Sequence, residues 1–257
     1  MELKGEVAIV TGGGFGIGEA VSLRLASEGV AVGVSDINMD NAQRVADQII
    51  ARGGQALPLK ADVCKSADVK NMVQQVMDKF GRVDILVNNV GVSPKGPKGE
   101  GLRTWLISDE EWDFTIRVNL TSAFYCAREV IPHMLKQKGG RIVLMSSSVG
   151  KEGGGGGTSI APYGAGKAGV INLTKTLAKE LATQNIRVNS VCPGLVEGTM
   201  MRASASPESN ERAVQKIPMK RFGKPAELAE AVYFLVSPRS SYITGEILDC
   251  NGGMLMD

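Results

Sequence analysis

At 257 residues, with 43% hydrophobic and 22% charged side chains, the chain has apolar material for one large core and is expected to fold as a single unit, 1–257. A formal net charge of +2 without any block of like charges argues against nucleic acid or an anionic membrane as partner, and for a small molecule. No apolar run approaches the roughly 18 residues of a membrane span, and the start Met1-Glu-Leu-Lys-Gly5 lacks a signal-peptide layout, so a cytoplasmic protein is expected.

Short runs rich in β-branched residues fall at 7–10, 30–34, 56–60, 83–87, 141–145, 187–192 and 246–249, and helical spacing at 19–28, 39–52, 67–80, 109–138, 161–184 and 225–237. Near-continuously apolar strands alternating with helices predict an α/β fold, a doubly wound parallel sheet of seven strands with helices on both faces. The helical segment 109–138 is long enough to contain a break. Ser108-Asp-Glu-Glu111 reads as a capping box at its start, and Pro225 suits the first turn of the last helix. Two glycine- and proline-rich stretches, 93–101 and 153–157, stand outside this rhythm as surface loops or as rims of a binding crevice.

The first strand runs into Thr11-Gly-Gly-Gly-Phe-Gly-Ile-Gly18 and then a helix. Gly12, Gly16 and Gly18 permit a tight turn whose backbone N–H groups approach a pyrophosphate at the helix N-terminus. Asp36, eighteen residues after Gly18, follows the second strand, where its carboxylate can accept bonds from both adenosine ribose hydroxyls at about 1.5–3 kcal/mol each. A 2′-phosphate beside that carboxylate is repelled, and no Lys or Arg lies among Gly13, Gly14 and Phe15 or at Ile37. NAD is therefore the expected cofactor.

Tyr163 and Lys167 lie four residues apart, hence on one helix face. A phenol with an ordinary pKa near 10 becomes a useful base only beside a fixed positive charge, which Lys167 can supply. The strand at 141–145 ends in Ser146-Ser-Ser148, a source of hydroxyl donors for a developing alkoxide. Cys64, Cys126, Cys192 and Cys250 are scattered free thiols and His133 is the lone histidine, so neither a metal nor a histidine-based triad is expected.

The pattern Thr-Gly-x-x-x-Gly-x-Gly, with Tyr163-x-x-x-Lys167 behind it, resembles the short-chain dehydrogenase/reductases over nearly the whole chain, from Gly5 to Gly253. The resemblance implies a Rossmann-like fold and a catalytic set of Asn119, Ser147, Tyr163 and Lys167, with Ser146 and Ser148 left as neighbouring alternatives. It implies cofactor contacts from the turn (Gly12, Gly14, Phe15, Gly16, Ile17, Gly18), from Asp36 and Ile37, and from Asp62 and Val63 at the adenine. Asn89, Val90 and Gly91 are similar to the segment behind the cofactor, with Val90 in place of the usual alanine. Pro193, Gly194, Val196 and Thr199 resemble the segment that holds the carboxamide, although the family's threonine usually falls where this chain has Gly198. Gly166 stands where the family commonly has serine, and the loops at 153–157 and 94–107 are longer than usual.

The function implied is interconversion of a secondary alcohol and a ketone by hydride transfer with NAD, in a homo-oligomer, the tetramer favoured. An alternative is a 3-oxoacyl-carrier-protein reductase, which shares the C-terminal Arg221-Phe-Gly-Lys-Pro225 and Ile243-Thr-Gly245 motifs but usually runs on NADPH, against which Asp36 stands. A catalytically silent NAD-binding regulator is a further alternative. Substrate contacts are expected from 93–106 and 195–221, the latter as a lid, with Met200, Met201 and Trp105 as apolar lining, Lys95, Lys98 and Arg103 as possible anion partners, and the tail at 254–257 reaching towards a neighbouring subunit.

Overall fold

The β-branched runs form β1 (Val7–Thr11), β2 (Ala31–Asp36), β3 (Ala56–Lys60), β4 (Ile85–Asn88), β5 (Gly140–Met145), β6 (Ile186–Pro193) and β7 (Ile247–Cys250). All pairs are parallel, in the order β3-β2-β1-β4-β5-β6-β7. The order reverses between β1 and β4, so a crevice opens at the carboxyl ends of these two strands, where ligands bind in open α/β sheets. The structure is a computed structural model that describes residues 1–93, 103–153, 161–198 and 206–256.

Helices cover both faces. On one side lie α3 (Ser66–Phe80), α5 (Ser122–Gln137) and α7 (Ala161–Leu181), and on the other α1 (Gly16–Ser27), α2 (Met39–Ala51) and, late in the chain, α9 (Pro225–Val236). Each face has its own apolar cluster. Leu86, Ile142 and Val188 belong to the first, Val10, Val87 and Val143 to the second, as alternation along the strands requires. The chain from 109 to 137 divides into α4 (Asp109–Ile116), a π-helical stretch (Arg117–Thr121) and α5, so the anticipated break lies at Asn119. The capping box is present: Ser108 accepts from the Glu111 amide at 3.2 Å, and Glu111 accepts from the Ser108 amide at 3.3 Å. Among the described residues, two further α-helices were not anticipated, α6 (Ser148–Glu152) and α8 (Pro207–Gln215), the second within the stretch expected to act as a lid.

Candidate active site

The glycine-rich turn is shaped by contacts that exclude side chains. A Cβ on Gly18 would lie 1.9 Å from the Gly12 carbonyl oxygen, and Gly12 itself has φ +58°. Gly16 also has a positive φ, +57°, but a Cβ there would meet nothing nearer than 3.8 Å, so its backbone faces open space. The first turn of α1 carries no side-chain cap, so its amides point outward unclaimed by any capping side chain. Behind the turn, Asn89 donates to the Gly12 carbonyl (3.2 Å), and its amide donates to Thr11 Oγ1 (3.1 Å), tying the segment after β4 to the end of β1. A cradle closed to side chains below and open above, at a helix N-terminus, fits a pyrophosphate.

Asp36 ends β2 at the rim of this turn. Its Oδ2 accepts from the Gly14 amide at 3.2 Å and its Oδ1 from the Asn38 amide at 3.0 Å, which fixes the carboxylate. A Cβ on Gly14 would stand 2.9 Å from Asp36 Oδ2 and 2.7 Å from Asn41 Cβ, so Gly14 is held as glycine by its neighbours. Arg44 was missed by the sequence reading. From α2 it donates to the Gly14 carbonyl (2.9 Å) and, bidentate, to Glu19 (2.7 and 2.8 Å). Its charge is thus matched by a carboxylate beside the ribose end. Phe15 and Ile37 are exposed at the rim, and the Asp62 carboxylate accepts from the Cys64 amide (3.0 Å). The Val63 side chain is buried in the core, so only its backbone can face a ligand.

The chemical groups converge beyond β4 and β5. Lys167 is buried and its ammonium donates to the Met145 carbonyl at 2.7 Å. A Cβ on Gly91 would lie 3.0 Å from both Lys167 Nζ and Asn119 Oδ1, so Gly91 is the gap through which the two side chains meet the crevice. Asn119 is fully buried. Its amide nitrogen donates to the carbonyls of Val92 (2.7 Å) and Thr115 (2.9 Å), and its Oδ1 accepts from the Val92 amide (3.2 Å). The bond to the Thr115 carbonyl, four residues back, replaces a main-chain helix bond and accounts for the π-helical stretch. Gly166 has a packing reason too, since a Cβ there would come within 2.9 Å of Asn119 Cβ.

Half-buried Tyr163 lies one turn from Lys167, whose ammonium is 5.9 Å from the ring centroid. Burial pushes the phenol above its ordinary value, opposed by hydrogen bonding with Ser147, and the nearby Cys192 adds to the rise. Among the three serines, Ser146 donates its hydroxyl to the Lys167 carbonyl (3.0 Å) and faces the packing of α7, whereas Ser147 caps α6 and reaches the phenol. Pro193 and Gly194 close β6, and Val196 bridges to Gly223 through bonds made by its neighbours Leu195 and Glu197. Thr199, Met200, Met201, Lys95, Lys98 and most of the polyglycine stretch lie outside the described residues. Trp105 is exposed, with Arg103 stacked 5.7 Å from its ring.

A family model described as enoyl-(acyl carrier protein) reductase matches residues 13–255. The chain is 40% identical over 256 residues to the 3-oxoacyl-[acyl-carrier-protein] reductase FabG of Thermotoga maritima, covering all of both proteins. It is 41% identical to the 3-oxoacyl-[acyl-carrier-protein] reductase of Synechocystis, covering 99% of this chain and 98% of that one. The crystal structure of a 3-oxoacyl-[acyl-carrier protein] reductase from Brucella melitensis superposes with a TM-score of 0.92 at 34% identity, over 100% of this chain and 93% of that one. The chain belongs to the short-chain dehydrogenase/reductase family.

For a short-chain dehydrogenase/reductase the buried Lys167 has an energetic consequence. Burial pushes its ammonium down to about 8, with nearby Cys192 opposing the fall. Below about pH 8 both the folded and unfolded chains hold this proton, and folding bears the full cost of burying the charge. Between that value and the ordinary lysine value of about 10.4, the unfolded chain holds the proton and the folded chain has lost it, so this group's contribution to stability rises with pH. Lys167→Met is therefore expected to raise the thermal midpoint at pH 7 by several degrees while lowering turnover about 100-fold or more. Calorimetric scans and initial rates of the two proteins check both directions.

Proposed function

We propose that the chain reduces 3-oxoacyl thioesters to 3-hydroxyacyl thioesters with NADH, by the reversible chemistry that interconverts ketones and secondary alcohols. The observation that carries this reading is the convergence of Asn119, Ser147, Tyr163 and Lys167 beside a dinucleotide-fitting turn. When bound, the nicotinamide supplies a hydride to the carbonyl carbon. The phenol of Tyr163 donates a proton to the carbonyl oxygen, completing the hydroxyl, while Ser147 donates a hydrogen bond to the same oxygen as charge develops. Lys167, when charged, stabilises the phenolate left behind, and Asn119 holds the polar path by which the proton is replaced.

The thioester rests on the full-length likeness to proteins named 3-oxoacyl-[acyl-carrier-protein] reductases. NADH rests on Asp36 and on the pairing of Arg44 with Glu19. A second reading, NAD-dependent oxidation of another secondary alcohol, is favoured by Asp36, because an NAD preference suits oxidation. A panel of 3-oxoacyl thioesters, simple ketones and secondary alcohols separates them. The thioester is expected to show a kcat/KM about 10-fold or more above the others, since one added pocket contact is worth about that. Equal or higher rates with a plain alcohol would return the broader reading.

Exposed Trp112, Phe114, Phe124 and Leu135 on α4 and α5 support a homo-oligomer, with the tetramer favoured by family resemblance. Among the described residues no helix is long and apolar enough to cross a membrane, and we place the enzyme in the cytoplasm.

A further inference from the structure

Helix α6 is five residues long, and a helix so short has no stability of its own, so its position is imposed by what it touches. Its cap is Ser147, in extended conformation (φ −166°, ψ 151°), with the Val149 amide donating to its hydroxyl at 3.3 Å and the Gly150 amide to its carbonyl at 2.9 Å. The place of the Ser147 hydroxyl is therefore the place of α6.

Among the described residues, the helix is held against both α7 and β7. Gly150 packs against the backbone of α7, where a Cβ would stand 2.8 Å from the Lys167 carbonyl carbon and 2.9 Å from the Ala168 nitrogen. Next to it, Lys151 Nζ pairs with Asp249 Oδ2 on β7 at 2.7 Å. Both side chains of the pair are mostly buried, 15% and 22% exposed, unlike a solvated surface pair that contributes little. Among the described residues the buried Asp249 Oδ1 has no hydrogen-bond partner, and the pair with Lys151 is made through Oδ2. One residue beyond the helix, Gly153 takes a positive φ of +77° and ends it. The ion pair is thus an anchor of α6 to the sheet. It joins residues 98 positions apart, and it is not among the positions that carry the family resemblance.

We propose that Lys151 and Asp249 are positioning residues that fix α6 and thereby hold the Ser147 hydroxyl in register with Tyr163. The inference rests on the reading of Ser147 as the donor to the reacting oxygen. Neither Lys151 nor Asp249 touches that oxygen. Loss of the pair loosens α6 without removing any reacting group, so it lowers kcat and leaves the KM for the nicotinamide cofactor unchanged.

The test is a cycle of Lys151→Met, Ser147→Ala and their combination, assayed as NADH oxidation with an acetoacetyl thioester. Lys151→Met is expected to lower kcat about 10-fold, and to add less than about twofold in the Ser147→Ala background, because the two changes act through one hydroxyl. Amide exchange at 147–153, which needs no turnover, is expected to speed up in Lys151→Met. Where the stranded Asp249 carboxylate unfolds that variant, Lys151→Met with Asp249→Leu removes both charges and gives the same readouts. An equal factor in both backgrounds, an unchanged kcat, or unchanged exchange overturns the positioning role. Full activity of Ser147→Ala alone would instead defeat the reading of Ser147, and absence of turnover in the parent protein would defeat the proposed reaction, leaving the exchange result to decide the anchor.

Discussion

Tyr163→Phe is expected to lower turnover about 1,000-fold while leaving the Kd for NADH within about tenfold, since one hydrogen bond at most is lost to the cofactor. The substitution removes one oxygen and keeps the ring, so the packing around the half-buried side chain survives. In the proposed reaction, what is lost is the acid. Burial raises the phenol above its ordinary value, so it is protonated at neutral pH, the form that reduction consumes. In the proposed reaction the neighbouring Lys167 ammonium stabilises the phenolate left behind; in Tyr163→Phe it is the remaining acidic group of the four, but it donates to the Met145 carbonyl and lies 5.9 Å from the ring centroid, out of the place the phenol oxygen held. Calorimetric titration of NADH beside steady-state rates separates the two effects. Near-normal turnover in Tyr163→Phe would mean that the proton comes from elsewhere.

Asp36→Ala is expected to act on the choice of cofactor. The carboxylate is held by the Gly14 and Asn38 amides at the end of β2. A 2′-phosphate beside it would meet repulsion of up to about 4 kcal/mol per unit charge pair at 4 Å and effective dielectric 20, reduced by solvent screening. Two ribose hydroxyls would instead gain charge-assisted bonds of about 1.5–3 kcal/mol each. A nearby cation among the described residues, Arg44, pairs with Glu19 and donates to the Gly14 carbonyl. Removal of the carboxylate should therefore raise the KM for NADH about 10-fold and shift the NADH to NADPH ratio of kcat/KM by about 100-fold or more, a change equivalent to roughly 3 kcal/mol. Kinetics with both cofactors on both proteins measure this ratio. An unchanged ratio would remove Asp36 from the specificity argument.

The strands were legible because a parallel sheet covered on both faces needs near-continuous apolar runs, and each run at 7–10, 141–145 or 187–192 became a strand within two residues. The Tyr163 and Lys167 pair was legible because spacing places them on one helix face and the glycine-rich turn with the family resemblance attaches chemistry to that spacing. The two unanticipated helices left no such trace. Helix α6 is too short to show a period, and α8 buries none of its side chains, so it has no apolar stripe. The break before α5 was expected, but its cause, Asn119 taking the Thr115 carbonyl, is a side-chain bond that periodicity does not report. Arg44 and the Lys151 and Asp249 pair were invisible for a different reason. Their partners are 25 and 98 residues away, and only the fold brings them together. The loops at 94–102 and 199–205, where substrate contacts were expected, lie outside the described residues.

The proposed reaction is transfer of a hydride from NADH to the carbonyl of a 3-oxoacyl thioester. Its most direct test is to incubate the purified protein with an acetoacetyl thioester and NADH, follow loss of reduced-nicotinamide absorbance, and quantify the 3-hydroxyacyl product by mass spectrometry. Equal molar amounts of NADH consumed and hydroxy product formed, at rates above those with NADPH, are the predicted result. No consumption of either cofactor, or faster reduction with NADPH than with NADH, would contradict it.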